Sequence, residues 1–507
     1  MRPWLRAMCL ILVVGSVAAL VGVGIYYLPL QVDGGWYSYP AFAYSLGRDP
    51  FSNQATLAAA CAMHGLKSLF QFETTSSIRF FYTSAWFRVL GSGFLSLKLL
   101  GLLELALLWV LAYHLFRRFF ARRDLALLAT AFMLTDKSLI LEGVSDFRPD
   151  LALAAATVGL FLVMSARRIR PVHIASACLL AVLTALVAQT SAVPLSFVLV
   201  ATATSAVLSG SAERKRRILL VAAVAVVAVL AFFARAPLFR SGLSTVIQVH
   251  DPVDAVHKMS AVLGGGASAV IRKELTRWTH YFLVSNVALL AVLVAGAIAL
   301  FARGQDGRRV PDKLKGPLLG LAAAMLTLAL LDPHITEYHL IPLAPFMLLV
   351  LAKFEELARP PLRLLTVLLA GSAALGLGLA YKVWRVNEQR GTNNWWLQST
   401  LAQLTQARRA YVVLGPTELW PYFPKDRDIL LVDRTRSPKL LATTGLTAAD
   451  VDYVMLSPDY DVRTWQPVLQ QFSPGSHVVV DKAPFLTVWS IRQPSAGDDY
   501  CARRPMP

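Results

Sequence analysis

Apolar and polar positions divide the chain into two unlike parts. Up to about residue 381, long apolar runs alternate with short, mostly basic breaks; beyond Lys382 the runs shrink to four or five residues. The first run, from about Cys9 to Leu30, holds no charged residue and is long enough to cross a bilayer. Ten more follow, near 94–116, 125–144, 149–165, 173–189, 192–209, 217–235, 279–302, 316–332, 339–353 and 363–381. The stretch Ile78–Leu90 reads differently. It carries Arg79, Arg88 and several aromatic rings and stops at Gly91-Ser92-Gly93, which suits a helix lying in the membrane interface. Beyond it, Tyr411–Leu414, Ile429–Val432, Tyr453–Leu456, His477–Val480 and Phe485–Trp489 predict strands, and Trp395–Ala407 predicts a helix.

The pattern therefore predicts a polytopic α-helical membrane protein of about eleven transmembrane helices over residues 1–385. A C-terminal α/β domain over 386–507 follows, large enough to bury a small core of its own. Composition agrees, with 56% hydrophobic residues and a mean hydropathy of +0.54. The formal charge of +18 would suggest a nucleic-acid partner in a soluble chain. Here the cations cluster between apolar runs, at Arg117-Arg118 with Arg122-Arg123, Arg167-Arg168, Arg214–Arg217, Arg308-Arg309 and Lys353. That is the signature of cytoplasmic loops, and no nucleic acid is expected.

Keeping every cluster inside requires an even number of spans between neighbours, and the runs comply. The N-terminus is then cytoplasmic, while loop 31–77 and the C-terminal domain lie outside. Arg2 and Arg6 precede the first run, but a run of ~20 residues exceeds the ~7–15 of a signal core and reads as a retained span. Of four cysteines, Cys9 and Cys178 lie in apolar runs; Cys61 and Cys501 can pair only where the compartment is oxidising.

Four outer segments carry candidate chemistry. Loop 31–77 holds Asp33-Gly34-Gly35-Trp36-Tyr37 and Lys67. Asp33 has two readings, a helix N-cap or a general base, since a carboxylate has an acceptor pair and a tunable pKa. Ser145–Asp150 places Pro149 and Asp150 at a helix start, with Arg148 as an ion-pair partner or a substrate ligand. Asp332–His339 offers His334, His339 and two acids, residue types that bind a divalent cation, although turn residues at a hairpin are the other reading. Loop 236–278 has a glycine run without Walker spacing. Inside the runs, Glu104, Asp136, Lys137 and Glu142 need either a wet cavity or inter-helical partners.

These residues resemble the GT-C superfamily of polyprenyl-phosphate-sugar-dependent glycosyltransferases, which contains protein O-mannosyltransferases and lipid A aminoarabinose transferases. The marks are Asp33…Tyr37…Ala43…Gly47, Phe81-Tyr82…Trp86-Phe87-Arg88…Gly91, Arg148-Pro149-Asp150, and Tyr338 before Pro342 and Pro345. Where this family carries Pro-Pro-Leu, the chain has Ser76-Ser77-Ile78. The resemblance implies inverting transfer of a sugar from a polyprenyl-phosphate donor to a lipid, glycan or protein acceptor at the outer face of a bacterial inner membrane. Asp33 would be the base and Asp150 a second, positioning acid. Lys67, Arg79, Arg148, Tyr338 and His339 would bind substrate, with His334 as a metal ligand for a divalent cation. A transporter or flippase of envelope lipids or glycans is the rival class, because many spans with intramembrane acids also suit proton-coupled transport.

Overall fold

The computed structural model describes residues 3–47, 67–69, 77–209, 211–240, 260, 264–301, 310–331, 337–357, 362–407, 410–432, 451–456, 477–482 and 485–491. Among these, six helical stretches are long and apolar enough to cross a membrane: Ala7–Tyr26, Phe94–Phe119, Glu213–Ala234, Asp312–Leu331, Tyr338–Glu356 and Leu362–Leu404. The pair Gly266–Leu283 and Val287–Leu300 adds a seventh if taken as one span, and Asp150–Met164, Pro171–Val187 and Ala192–Val207 are shorter apolar helices. The protein is a multi-pass membrane protein. Residues such as Leu10, Ile11, Leu103 and Leu107 are exposed on the outside of the bundle, where lipid tails replace water as the neighbour.

Three apolar runs differ from their uniform reading. The run 125–144 is split: the Arg123–Leu134 helix stops at Thr135, and Asp136 caps a new short helix by accepting from the Ser138 and Leu139 amides. A π-helical turn, Glu142–Asp146, finishes it. The run 279–302 bends by 110° after a second π-helical turn, His280–Ser285. The run 339–353 is largely 3-10 helix, over Glu337–Leu343 and Leu348–Glu356. Pro342 and Pro345 lie within it, and a proline removes an amide and crowds the preceding turn, disfavouring a regular α-helix. This segment is mostly buried and forms the middle of the bundle.

The interfacial stretch is a helix, Ser77–Leu90, and the final run belongs to one helix that continues to Arg390 before Gly391 turns the chain at φ 63°. The five expected strands all form. They build a six-stranded sheet of order β1-β3-β2-β4-β6-β5, with β2 Ala410–Leu414, β3 Asp428–Val432, β4 Tyr453–Leu456, β5 His477–Lys482 and β6 Leu486–Ser490. The edge strand β1 is Lys67–Leu69, from loop 31–77 of the N-terminal part, paired in parallel with β3. The C-terminal sheet thus includes a piece of the first loop.

An aromatic core joins the sheet to the membrane part. Phe42 stacks on Trp420 at 4.6 Å and Phe94 on Tyr422 at 5.1 Å. The Tyr422 hydroxyl donates to Asn394 Oδ1 (3.0 Å) and accepts from the Leu30 amide (3.0 Å). Asn394 in turn donates to the carbonyls of Ile25 and Leu28 at the end of the first helix.

Candidate functional site

The turn Glu142–Asp150 is where three separate parts of the chain meet. Its backbone is unusual. Five residues wind as π-helix, and Phe147 closes the turn in the left-handed region at φ 50° and ψ 37°. That conformation is disfavoured for a bulky residue and persists only where surroundings impose it. Arg79 is one such surrounding: its Nη1 donates to the Phe147 carbonyl and its guanidinium lies 3.8 Å over the Phe147 ring.

Arg79 is committed further. Its Nε and Nη2 form a two-point bond to Glu104, at 2.9 and 2.8 Å, and both side chains are buried. Burial alone would lower the guanidinium's pKa, but the Glu104 carboxylate beside it holds it above its ordinary value. Tyr82 donates to the same carboxylate. Arg79, one of the residues read as substrate ligands, is therefore a strut between the Ser77–Leu90 helix, the Phe94–Phe119 helix and the turn. Glu104 has found an inter-helical partner instead of facing a cavity.

Lys98 completes the frame. Its Nζ is buried and donates to the carbonyls of Gly24 (2.8 Å), Leu28 (2.7 Å) and Val144. One ammonium thus ties the end of the first helix to the turn, satisfying carbonyls that the helix end leaves unpaired. Close backbone approach does the rest. A Cβ at Gly101 would lie 1.9 Å from the Gly143 carbonyl oxygen, and one at Gly24 would lie 2.4 Å from a Val144 methyl.

The Asp33 motif packs on the same turn. The Gln31 amide donates to the Ser145 carbonyl (3.2 Å), and a Cβ at Gly34 would meet the Asp146 carbonyl at 2.9 Å. Gly35 faces the other way, where a Cβ would meet the Glu418 amide at 2.4 Å. The two glycines thus let the helix Val32–Ser45 slide between the turn and the 3-10 helix Thr417–Tyr422 of the C-terminal domain. The Trp420 indole donates to Ser38 Oγ at 3.0 Å and fixes that contact. Gln31 occupies the N-cap position and Asp33 is the second helical residue. The Asp33 side chain itself lies outside the description, as do the Lys67 side chain and all of His334, Cys61 and Cys501.

The turn carries the remaining candidates. Arg148 Nε donates to Asp150 Oδ2 at 3.0 Å, and its guanidinium lies 4.7 Å over the Tyr338 ring. Asp150 opens the helix Asp150–Met164 behind Pro149, as the sequence predicts. Tyr338 is half-buried and points toward Asp146, Glu142 and Arg148. His339, half-buried, follows it. Asp150, Arg148 and Tyr338 are thus brought together. Arg79 supports them from behind, and Asp33 is set beside them through its neighbours Gln31 and Gly34. Among the described residues no group of three or more His, Cys, Asp or Glu is spaced to hold a metal ion.

Sequence reasoning missed two members. Asp146 was visible only as a flanking acid, and Glu142 only as an intramembrane charge. Glu142 is fully buried, and among the described residues neither of its oxygens has a hydrogen-bond partner. Lys98 carried no signal beyond being a lone cation near the start of an apolar run.

No family model matches the chain, and no curated protein does. Solved structures do. ArnT from Cupriavidus metallidurans, bound to undecaprenyl phosphate, superposes with a TM-score of 0.57 at 12% identity, over 98% of this chain and 99% of that one. An Archaeoglobus fulgidus oligosaccharyltransferase in complex with zinc and sulfate gives a TM-score of 0.44 at 10% identity, over 88% of this chain and 67% of that one, and carries no weight at that score. The chain thus shares the fold of that ArnT.

Proposed function

We propose that the chain is a glycosyltransferase that moves a sugar from a polyprenyl phosphate to a lipid, glycan or protein acceptor at the outer face of the bacterial cytoplasmic membrane. The observation that carries this reading is the seating of the Asp33 helix on the Glu142–Asp150 turn, with Gln31 and Gly34 in direct contact with Ser145 and Asp146. The fold it shares with an ArnT holding undecaprenyl phosphate supports the donor class.

In this reading Asp33 takes the proton from the acceptor hydroxyl. The acceptor oxygen bonds to the anomeric carbon as the bond from that carbon to the phosphate oxygen breaks, inverting the centre. The bonding pair leaves with the polyprenyl phosphate. Arg148, Lys67 and His339 are the cations or donors suited to that leaving charge, because Arg79 already commits Nε, Nη1 and Nη2 to Glu104 and Phe147. Asp150 orients Arg148 through their 3.0 Å bond.

The test is Asp33→Asn in a strain lacking the native copy, with mass analysis of envelope lipids, glycans and proteins. Wild type should restore a sugar-bearing product and Asp33→Asn should not, while the purified variant still binds undecaprenyl phosphate. Full product formation by Asp33→Asn removes it as the base. Substrate flux without any new glycosidic bond in wild type favours the transporter reading.

A further inference from the structure

The charges of the Glu142–Asp150 turn do not balance locally. Glu142 is completely buried and both its oxygens lack a hydrogen-bond partner among the described residues. Its charged neighbours are Asp150, Asp146, Arg148 and Arg79. Each of the two cations is bound to a different acid, Arg79 to Glu104 and Arg148 to Asp150. A carboxylate buried in this way costs stability unless something donates to it. A leucine or glutamine would serve a purely structural role better. The surrounding backbone is also held in costly form, in the π-helical turn and in Phe147 at φ 50°. Unfavourable features gathered in one place are retained where activity requires them.

We propose that Glu142 is a substrate-contacting residue whose two oxygens accept hydrogen bonds from hydroxyls of the sugar being transferred. The inference rests on the glycosyltransferase reading and gives its site a direction. Both oxygens of a carboxyl group can accept, so a ligand that brings donors satisfies them. Three acids stand in the turn, at Glu142, Asp146 and Asp150, against a single arginine within it. A polyol supplies several donors without adding negative charge beside these acids. The sugar therefore faces Glu142, and the leaving phosphate lies toward Arg148. Tyr338 lies against the turn in this structure, with its ring against Arg148 and its hydroxyl toward Asp146. Sugar hydroxyls entering the turn take the place of that phenol.

The test uses the full-length chain with Glu142→Gln and Glu142→Leu. Three quantities are read: the thermal unfolding midpoint in detergent, binding of undecaprenyl phosphate (a probe that has no sugar), and product formation in the deletion strain. Both variants should unfold at or above the wild-type midpoint. Their undecaprenyl phosphate affinity should stay within about twofold of wild type, while product falls on the order of 100-fold, as when one oriented polar contact to the reacting group is removed. A lowered midpoint in Glu142→Gln alongside lost product makes Glu142 structural and overturns the proposal. Wild-type product levels, or loss of undecaprenyl phosphate binding, overturn it too. If wild type itself makes no product, the glycosyltransferase reading fails and takes this one with it; product from wild type and Glu142→Gln alike removes Glu142 alone.

Discussion

Gly101→Ala is the sharpest perturbation of the frame. Its added methyl would lie 1.9 Å from the Gly143 carbonyl oxygen and 2.8 Å from the carbonyl carbon. Ordinary carbon–oxygen contact begins near 3.4 Å, so the helix Phe94–Phe119 and the π-helical turn must part by roughly 1.5 Å. Neither side can yield by a rotamer change, because both colliding groups are backbone. Overpacking in a well-packed interior costs about 1–3 kcal/mol, and a backbone–backbone clash belongs at or above the upper end. The same shift moves Glu142, Asp146 and Asp150 relative to the Asp33 helix. Misplacement of about 1 Å at a reacting centre is enough for on the order of 100-fold in rate. Unfolding followed by tryptophan fluorescence, together with envelope product in the deletion strain, reads both effects. Gly371→Ala is the control, since a Cβ there meets nothing within 4 Å; in a helix interior it should be neutral or stabilising by about 0.5–1 kcal/mol. If Gly101→Ala behaves like Gly371→Ala in both measurements, the close approach does not hold the site.

Arg79→Met should destabilise by about 3–5 kcal/mol, because it leaves Glu104 buried without its cation; adding Glu104→Met should recover most of that loss in the same unfolding assay. Arg79→Met losing donor binding with an unchanged midpoint would return Arg79 to the list of substrate ligands. Trp420→Phe removes the indole donor to Ser38 and part of the stack on Phe42, at a cost of about 1–2 kcal/mol. In a double-mutant cycle with Ser38→Ala the two losses should be less than additive; full additivity means the bond holds nothing.

Much of this architecture was legible because period and length are strong signals. Apolar runs of membrane thickness gave the helices, and Gly91-Ser92-Gly93 correctly separated Ser77–Leu90 from Phe94–Phe119. The short β-branched runs after Lys382 gave five of the six strands. The sixth, Lys67–Leu69, is three residues of mixed polarity and exists only because β3 lies beside it. The site was legible in parts. Pro149 and Asp150 announced a helix start through local chemistry, and the acids could be enumerated. Their partners could not. Arg79 and Glu104 stand on different helices, and only packing reveals that they pair. Gly34 and Gly35 are adjacent in sequence, yet each marks a different surface pressed against the same helix. The breaks at Asp136 and at the π-helical turns fall within apolar runs, where hydropathy alone reads continuity.

The pairing of Lys67–Leu69 with β3 also sets an order of events in synthesis. Lys67 lies opposite Leu430, so about 360 residues are made between the first partner and the second. At about 5–20 residues per second that is some tens of seconds. Throughout that time the loop that holds β1 is already made, while the strands it joins are not. Its backbone donors and acceptors have no ladder to join until the last quarter of the chain arrives. Assembly of the C-terminal sheet is therefore a late, long-range closure, and a chain that stalls before β3 leaves an open strand edge where foreign chains can pair.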